Sequence, residues 1–357
     1  MSTNTHLAAF TCGKGQPLRL QRRPTPSPGP GELLIAVESI ALNPADVIMR
    51  DQGLFIQAYP TVTGFDMAGL VLKVGDTVPP SFQPGTRVAA YSASVWTECN
   101  PDYGVFQERC LVPWQHATAL PEGLSWNHAA TLPVAVQVPL SAWDAMGITR
   151  MGSSVPTDNL ETREALLIWG ASSSVGSMGV QTARLLRDDP HTSIAAVYAT
   201  AGAANSSYVS SLGADRVFDY KDPQIVDAIV SAATRDRLAI RHCFLATGDL
   251  KLCQAVLGAF LGEAGPAKIG SAPPVPADAE VVDGMETLFL MPSMMETQRL
   301  EQFRAWMAWL GENLAKATIR PSPEPSVVGK GLGCINAGLG RLQQGVSCTK
   351  LVIEIAE

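Results

Sequence analysis

The sequence is poor in charge. Asp, Glu, Lys and Arg make up 17% of its 357 residues, and the formal net charge is −7. Such a chain lacks the basic surface that nucleic acid or an anionic membrane attracts, so we expect neither as a partner. No apolar run approaches the roughly 18 residues needed to cross a bilayer, and residues 1–20 lack the apolar core of a signal peptide. These absences predict a cytoplasmic protein.

Paired cysteines and clustered histidines are also missing. The 7 cysteines are scattered and odd in number, without C-x-x-C spacing, which indicates free thiols in a reducing compartment. Cys99 and Cys110 lack the partners needed for a four-cysteine zinc site, and the 5 histidines are isolated in sequence. The sequence therefore predicts no metal site.

The most informative segment that is present covers residues 166–181. An apolar run turns into a small-residue loop at Gly170 and then into a helical pattern. The free N–H groups and the dipole of a helix N-terminus favour a phosphate, and small residues let it approach the backbone. The segment predicts a dinucleotide-binding turn, although it is not a clean G-x-G-x-x-G and an ordinary Ser-rich loop has a similar composition. The cofactor-binding residues predicted in this turn are Gly170, Ser172, Ser173, Ser174 and Val175.

Short apolar runs recur after the turn, with helix-like segments such as 175–187 and 223–233 between several of them. Runs of about five residues are too short for helices and suit buried strands. Strands that alternate with helices predict a parallel sheet covered on both faces, which is a Rossmann-type, doubly wound α/β domain. The predicted strands are 194–198, 216–220, 240–246, 267–270 and 286–290.

The segment after the second predicted strand bears on the choice of cofactor. An NAD site usually places Asp or Glu about 20 residues beyond the glycine turn, where it binds the ribose hydroxyls. Residues 194–211 contain no carboxylate, which favours NADPH. Thr200, Asn205 and Tyr220 are the predicted cofactor-binding residues of this region. The alternative is a solvated polar loop.

The regions before and after the predicted α/β domain differ from it in composition. Residues 1–145 are rich in Gly and Pro and contain short β-like runs such as 67–74, which predicts a mixed β domain. Residues 147–163 are polar and predict an exposed connector. An apolar stripe at helical spacing predicts a helix over 295–317, and 350–355 predicts a strand that returns to the first domain.

Several short motifs occur in the order typical of the medium-chain dehydrogenase/reductase superfamily. They include Pro-Gly-Pro-Gly-Glu at 28–32, Asn-Pro-Ala-Asp at 43–46, Gly-Phe-Asp-Met-Ala-Gly at 64–69, Ala-Ala-Thr-Leu-Pro at 129–133 and Leu-Gly-Ala-Asp at 212–215. The chain resembles the zinc-free branch of this superfamily over essentially its whole length. Within that branch it is most similar to the trans-acting enoyl reductases that accompany fungal polyketide synthases. The resemblance implies a GroES-like domain over 1–160, completed by 318–357, and a Rossmann NADPH-binding domain over 161–317.

The resemblance also implies a reaction. NADPH would transfer a hydride to an α,β-unsaturated polyketide thioester carried by an acyl carrier protein, in secondary-metabolite biosynthesis. The protein would orient the reactants and stabilise the charge that develops on the carbonyl oxygen. One alternative is a zinc-free reductase of free quinones or α,β-unsaturated carbonyl compounds. Another is a redox-inactive relative that acts as a binding partner or in a non-redox step. The oligomeric state stays open, with a monomer as the expectation.

Site residues are carried over from the family onto matching positions. By resemblance, Asn43 and Asp46 are predicted to be catalytic and Pro44 to contact the cofactor. Asp46 has a second interpretation as a turn or helix cap. Gln137 and Val138 are predicted to contact substrate, because the helix they belong to walls the site in relatives.

Further positions follow from the same resemblance. Gly270 and Lys350 are predicted to contact the cofactor. Zinc-dependent relatives carry a His-Glu pair where this chain has Phe65 and Asp66, so the resemblance implies chemistry without zinc. The Lys or Tyr that donates a proton in some relatives is absent, which leaves the proton donor unassigned.

Overall fold

The computed structural model describes residues 4–148, 163–262 and 266–355. Its strands are β1 (Thr5–Thr11), β2 (Arg19–Pro24), β3 (Glu32–Ala41), β4 (Thr61–Val62), β5 (Asp66–Val74), β6 (Arg87–Tyr91), β7 (Arg109–Pro113), β8 (Ala117–Ala119), β9 (Glu164–Trp169), β10 (Ile194–Ala201), β11 (Arg216–Asp219), β12 (His242–Leu245), β13 (Ala267–Ser271), β14 (Met285–Phe289), β15 (Pro325–Lys330) and β16 (Lys350–Glu354). Its helices are α1 (Pro44–Gln52), α2 (Trp126–Ala130), α3 (Leu132–Met146), α4 (Ser174–Arg187), α5 (Ser206–Ser211), α6 (Ile225–Asp236), α7 (Leu250–Gly258), α8 (Glu296–Ala315) and α9 (Ile335–Gln343). Among these helices none is both long and apolar enough to span a bilayer.

The chain divides into two compact units, residues 1–134 with 293–357 and residues 135–292. Helix α8 packs on β8 and so belongs to the first unit, and the first boundary falls inside α3. The predicted domains, 1–160 with 318–357 and 161–317, place α8 with the Rossmann domain instead. The predicted connector at 147–163 lies almost wholly on 149–162, outside the described residues.

The first unit contains two sheets. One has the strand order β2-β1-β4, and the other has the order β15-β16-β3-β5-β6-β8, with β7 also paired to β3. Strand β3 lies in the interior of the second sheet, and its side chains are buried on both faces. Its near-continuous apolar run from Leu33 to Val37 suits this position. The closing strand β16 lies antiparallel to β3, with Val352 opposite Ala41. The predictions of a mixed β domain and of a returning final strand are therefore confirmed.

The second unit is a parallel sheet with the order β11-β10-β9-β12-β13-β14. Its side chains alternate between two covered faces. Leu167 packs with α6 and α7 in one core, whereas Ile168 and Phe244 lie against Gly179 of α4 on the other face. The predicted Rossmann-type fold and the positions of its strands are confirmed. Helix α5 was not predicted, because its Ser-rich sequence carries little helical signal.

Candidate active site

Asn43 lies at the point where the central strand β3 gives way to α1. It is the N-cap of that helix, with extended backbone torsions, and its side chain is 4% exposed. The Asn43 backbone N–H donates to Oδ2 of Asp46 at 2.7 Å, so Asp46 caps the helix from its first turn. The structure thus shows Asp46 in its second interpretation, as a helix cap.

Sheet topology brings a buried ion pair to the same place. Ala41, near the end of β3, pairs with Asp66 on one side and with Val352 on the other, so β5 and β16 flank β3 there. Lys350 at the start of β16 approaches Asp66 at the start of β5, with Nζ 3.2 Å from Oδ2. Their side chains are 4% and 0% exposed. Two residues far apart in the sequence therefore meet beside Asn43.

The side-chain amide of Asn43 forms hydrogen bonds with both charged groups, Lys350 and Asp66. Its Oδ1 accepts from Lys350 Nζ at 2.6 Å, and its Nδ2 donates to Asp66 Oδ2 at 3.0 Å. The other Asp66 oxygen accepts from the Val134 backbone N–H in the first turn of α3 at 2.8 Å. A lysine ammonium has three N–H donors, and two of these are used here. The contacts with Asn43 and Asp66 do not use the third N–H of Lys350.

Burial dominates the protonation of this cluster. It raises the pKa of Asp46 to about 8, and the neighbouring Asp66 charge acts in the same direction. Burial also raises the pKa of Asp66, against the opposing effect of Lys350. Oδ1 of Asp46 has no hydrogen-bond partner among the described residues. Near neutral pH the site therefore contains a buried carboxylic acid beside an ion pair.

We predict that this acid makes stability depend on pH. The pKa of Asp46 is about 8 in the folded protein and 3.8 ordinarily, so the folded state binds more protons between these values. The free energy of unfolding should therefore fall as pH rises through this window, by up to about 1.4 kcal/mol per pH unit. Asp46→Asn removes the titration and should gain stability relative to the wild type as pH rises. Urea unfolding of both proteins at about pH 5.5 and pH 8 measures the difference, and an equal difference at both values would contradict the raised pKa.

The predicted dinucleotide turn lies between β9 and α4 in the second unit. Ser173 is the N-cap of α4, and its hydroxyl accepts from the Gly176 N–H at 3.1 Å. Gly170 has a φ of +79°, and a Cβ there would lie 2.6 Å from the Thr247 carbonyl oxygen. A Cβ on Gly176 would lie 2.3 Å from the Gly170 carbonyl oxygen, so this turn closes on the helix only with glycine.

This turn fits the phosphates of a nucleotide. The first turn of α4 contains no acidic residue, and Ser174 Oγ is buried without a partner among the described residues. Ser172 and Val175 are half-buried on either side of Ser173 and Ser174. The N-terminus of α4 therefore offers backbone donors, a positive dipole end and a free hydroxyl to an anion.

The residues predicted for the adenosine end occupy different environments. Thr200 is fully buried, and its hydroxyl accepts from the Gly170 N–H at 3.0 Å, so it stabilises the turn between β9 and α4. Tyr220 is 46% exposed, and the Lys221 ammonium lies 5.9 Å from the centre of its ring. Gly202 also adjoins this ring, and an added Cβ there would lie 3.6 Å from it. Asn205 precedes α5. Tyr220 and its neighbour Lys221 are exposed, whereas Asn205 is half-buried and Thr200 is inaccessible.

The other predicted residues divide between the two units. Gly270 lies on β13, where a Cβ would come 3.2 Å from Ala142 of α3, so its small size lets the helix pack on the sheet. Gln137 and Val138 lie on α3, the first buried and the second half-buried. Pro44 is the first residue of α1. Among the described residues no group of three or more His, Cys, Asp or Glu side chains is arranged to hold a metal ion.

Asp66 was missed as a site residue, and Lys350 was assigned only to the cofactor. A signal was available, because each charge lies at the start of an apolar stretch predicted to form a strand, and a charge that becomes buried there requires a partner. The pairing itself depends on which strands flank β3, and that is a property of the topology.

A GroES-like β unit followed by a Rossmann-type unit is the fold of the medium-chain dehydrogenase/reductases. A sequence profile of the alcohol dehydrogenase GroES-like domain matches residues 29–122. The fold is shared with an alcohol dehydrogenase superfamily protein from Novosphingobium aromaticivorans, at a TM-score of 0.79 and 18% identity, covering 98% of this chain and 100% of that chain. The CurK enoyl reductase superposes with a TM-score of 0.74 at 16% identity, covering 98% of this chain and 99% of that chain.

Sequence comparison identifies a narrower family within this superfamily. The chain is 38% identical to the trans-enoyl reductase tndF of Aspergillus flavipes over 98% of its own length and 99% of that protein. It is 39% identical to the trans-enoyl reductase tazE of Aspergillus terreus over 83% of its own length and 95% of that protein. The chain belongs to the family of these fungal trans-enoyl reductases, within the medium-chain dehydrogenase/reductase superfamily. Membership of this oxidoreductase family implies a nicotinamide cofactor.

Proposed function

We propose that the protein is an NADPH-dependent, zinc-independent enoyl reductase that acts on an α,β-unsaturated polyketide thioester bound to an acyl carrier protein. The observation that carries this proposal is the 38% identity to a trans-enoyl reductase over 98% of the chain. The phosphate-binding turn at the N-terminus of α4 supports it, because that turn suits a dinucleotide. When bound, the nicotinamide supplies the hydride.

The chain's own residues would bind, orient and supply protons. Gly170, Ser173 and Ser174 would hold the phosphates, and Tyr220 with Lys221 would meet the adenosine end. In the first unit, Asn43 fixes the direction of the Lys350 ammonium, whose remaining N–H can donate to an oxygen or phosphate of a ligand. Asp46 is a buried acid that holds a proton at neutral pH, which makes it the best-placed proton store among the predicted residues.

The substrate is tested with the purified protein and NADPH. An unsaturated acyl group is offered in three forms: on an acyl carrier protein, as a short soluble thioester, and as the matching free enone. We expect the carrier-bound form to have a kcat/KM about tenfold or more above that of the soluble thioester, because carrier contacts add binding energy away from the reacting bond. The absorbance of the reduced nicotinamide reports the rate.

Two other outcomes would redirect the proposal. Faster turnover of the free enone than of either thioester would favour a reductase of free carbonyl compounds. Binding of NADPH without oxidation by any of the three forms would favour a redox-inactive relative. A metal chelator should leave the rate unchanged, and a rate lost to the chelator and restored by zinc would overturn the zinc-independent assignment.

Cofactor choice is a separate prediction. Lys221 is an exposed cation that follows β11 beside Tyr220, so we expect it to attract the additional phosphate of NADPH. Lys221→Glu should lower NADPH affinity about tenfold while changing NADH affinity less than about twofold. Lys251→Glu, at an exposed position on α7 of the same unit, is the matched control. Titrations followed by nicotinamide fluorescence give both affinities, and an equal loss for the two cofactors would place the phosphate elsewhere.

A further inference from the structure

A cavity of about 440 Å³ lies within the first unit, apart from the active-site cluster. It is lined by the loop after β6, by the start of β3 and by the first turns of α8. Neither Asn43 nor Lys350 lines it. The residues that line it include Trp96, His116 and Arg299. The cavity is large enough for a small organic molecule.

Arg299 is a cation that lines this cavity without forming an ion pair in the described part of the chain. The residue is 8% exposed, and among the described residues no carboxylate lies within ion-pair distance of its guanidinium. Nη1 donates only to the Met294 carbonyl oxygen, at a long 3.4 Å, and Nε has no partner in the described part of the chain. Burying a charge without a counter-charge is unfavourable, so this arrangement favours an anion that enters the cavity.

The aromatic wall supplies a second unsatisfied donor. The Arg299 guanidinium carbon lies 5.2 Å from the centre of the Trp96 ring, and Trp96 Nε1 is also without a hydrogen-bond partner among the described residues. An indole nitrogen can only donate, so Trp96 and Arg299 both require an acceptor. The two groups together suit the oxygens of an anion.

His116 adds no positive charge to this wall. Burial lowers its pKa to about 3, so the ring is neutral. Nδ1 lies 3.3 Å from the Tyr91 carbonyl oxygen and must carry the proton to donate to it, which leaves Nε2 as an acceptor. The ring stacks on Phe303 with their centres 3.8 Å apart, so the wall it belongs to is flat and apolar. Arg299 is therefore the only cation among the lining residues that the structure describes.

Two carboxylates also line the cavity, Glu32 and Glu296, and neither forms an ion pair with Arg299. Glu32 is engaged elsewhere, because it accepts from the Tyr103 hydroxyl and, at 2.8 Å, from the Gly29 N–H. Glu296 lies one turn before Arg299 on α8, is exposed and forms no ion pair with it. An entering anion must tolerate Glu296, which favours a singly charged group over a multiply charged one.

We propose that this cavity binds a small organic monocarboxylate with an aromatic or other flat apolar body, the carboxylate meeting Arg299 and Trp96. The apolar body would lie against the aromatic wall. This site is additional to the reductase chemistry and does not depend on it.

Calorimetric titration of the purified protein with sodium benzoate tests the proposal, with benzamide as the uncharged match at the same ionic strength. We expect benzoate to bind about tenfold or more tightly than benzamide, because a hydrogen bond to a charged partner is the stronger one. Arg299→Gln should remove this preference, and Trp96→Phe should weaken benzoate binding about threefold or more by removing one donor. Arg304→Gln is the matched control, because Arg304 lies on the same helix but is exposed and paired with Glu301.

Several outcomes would overturn the proposal. They are equal binding of benzoate and benzamide, equal benzoate binding by Arg299→Gln and Arg304→Gln, and no binding by the wild-type protein. Glu296→Gln covers the case in which Arg299→Gln fails to fold, and it should retain or tighten benzoate binding because it removes a competing charge. If only Glu296→Gln bound benzoate, Arg299 would be paired with Glu296 in solution and the cavity would not be an anion site.

Discussion

Replacing Lys350 by Met should lower the free energy of unfolding by about 3–5 kcal/mol. The variant keeps much of the side-chain volume but leaves the Asp66 carboxylate buried without its cation, with a side chain that is 0% exposed. The loss of stability should be smaller at low pH, because Asp66 can then bind a proton and become neutral. Burial raises the pKa of Asp66 and so favours this protonation. Urea unfolding followed by circular dichroism at two pH values measures the effect.

Two further variants isolate the ion pair. Adding Asp66→Asn to Lys350→Met removes the unpaired charge and should restore a large part of the lost stability. Lys330→Met is the matched control. Lys330 also lies in a strand of this sheet and pairs with Glu354, but its side chain is 75% exposed, so the change should cost less than about 1 kcal/mol. If Lys350→Met proved no more costly than Lys330→Met, the pair with Asp66 would not be formed in solution.

Ser173→Asp should weaken binding of the nicotinamide cofactor about 100-fold or more. Asp caps helices about as well as Ser, so α4 should remain intact with a carboxylate in place of the hydroxyl that now accepts from Gly176. A negative charge at the helix N-terminus occupies the region favourable to phosphate and repels one at short range, by about 4 kcal/mol for charges 4 Å apart near a protein surface. Fluorescence titration with the reduced cofactor measures affinity.

The matched control for this change is Ser231→Asp, which adds the same charge at an exposed position of α6 in the same unit. Its cofactor affinity should stay within about twofold of the wild type, because screening weakens distant charges. Thermal unfolding of both variants establishes that they are folded. A folded Ser173→Asp protein with undiminished affinity would show that the phosphates bind somewhere other than the N-terminus of α4.

The parts of the fold that were predictable are those with a local signal. Short apolar runs such as the one that forms β10 identify buried strands of a parallel sheet, and the helical stripe that forms α8 follows from periodicity alone. The turn between β9 and α4 was predictable because small residues, a strand end and a helix start adjoin in the sequence. Helix α5 was not found, because its position depends on the strands around it and its residues favour no particular structure.

The candidate site was predictable only in part, for a physical reason. Asn43 and Asp46 belong to one turn, so a local motif could place them. The contact between Asp66 and Lys350 exists because β5 and β16 lie on opposite sides of β3, and no local pattern contains that information. The pKa of Asp46 likewise depends on burial by the folded chain.

Because β5 and β16 flank β3, the order in which the ribosome makes these strands determines when the sheet can be completed. Strand β16 follows the whole second unit in the sequence, so a ribosome translates Asn43 and Asp66 long before Lys350. Until then Asp66 has no buried cation, and the end of β3 that later pairs with β16, residues 39–41, has an open edge. The first unit can thus become complete only after the second has emerged, so formation of the contacts among Asn43, Asp66 and Lys350 must wait for translation of the second unit.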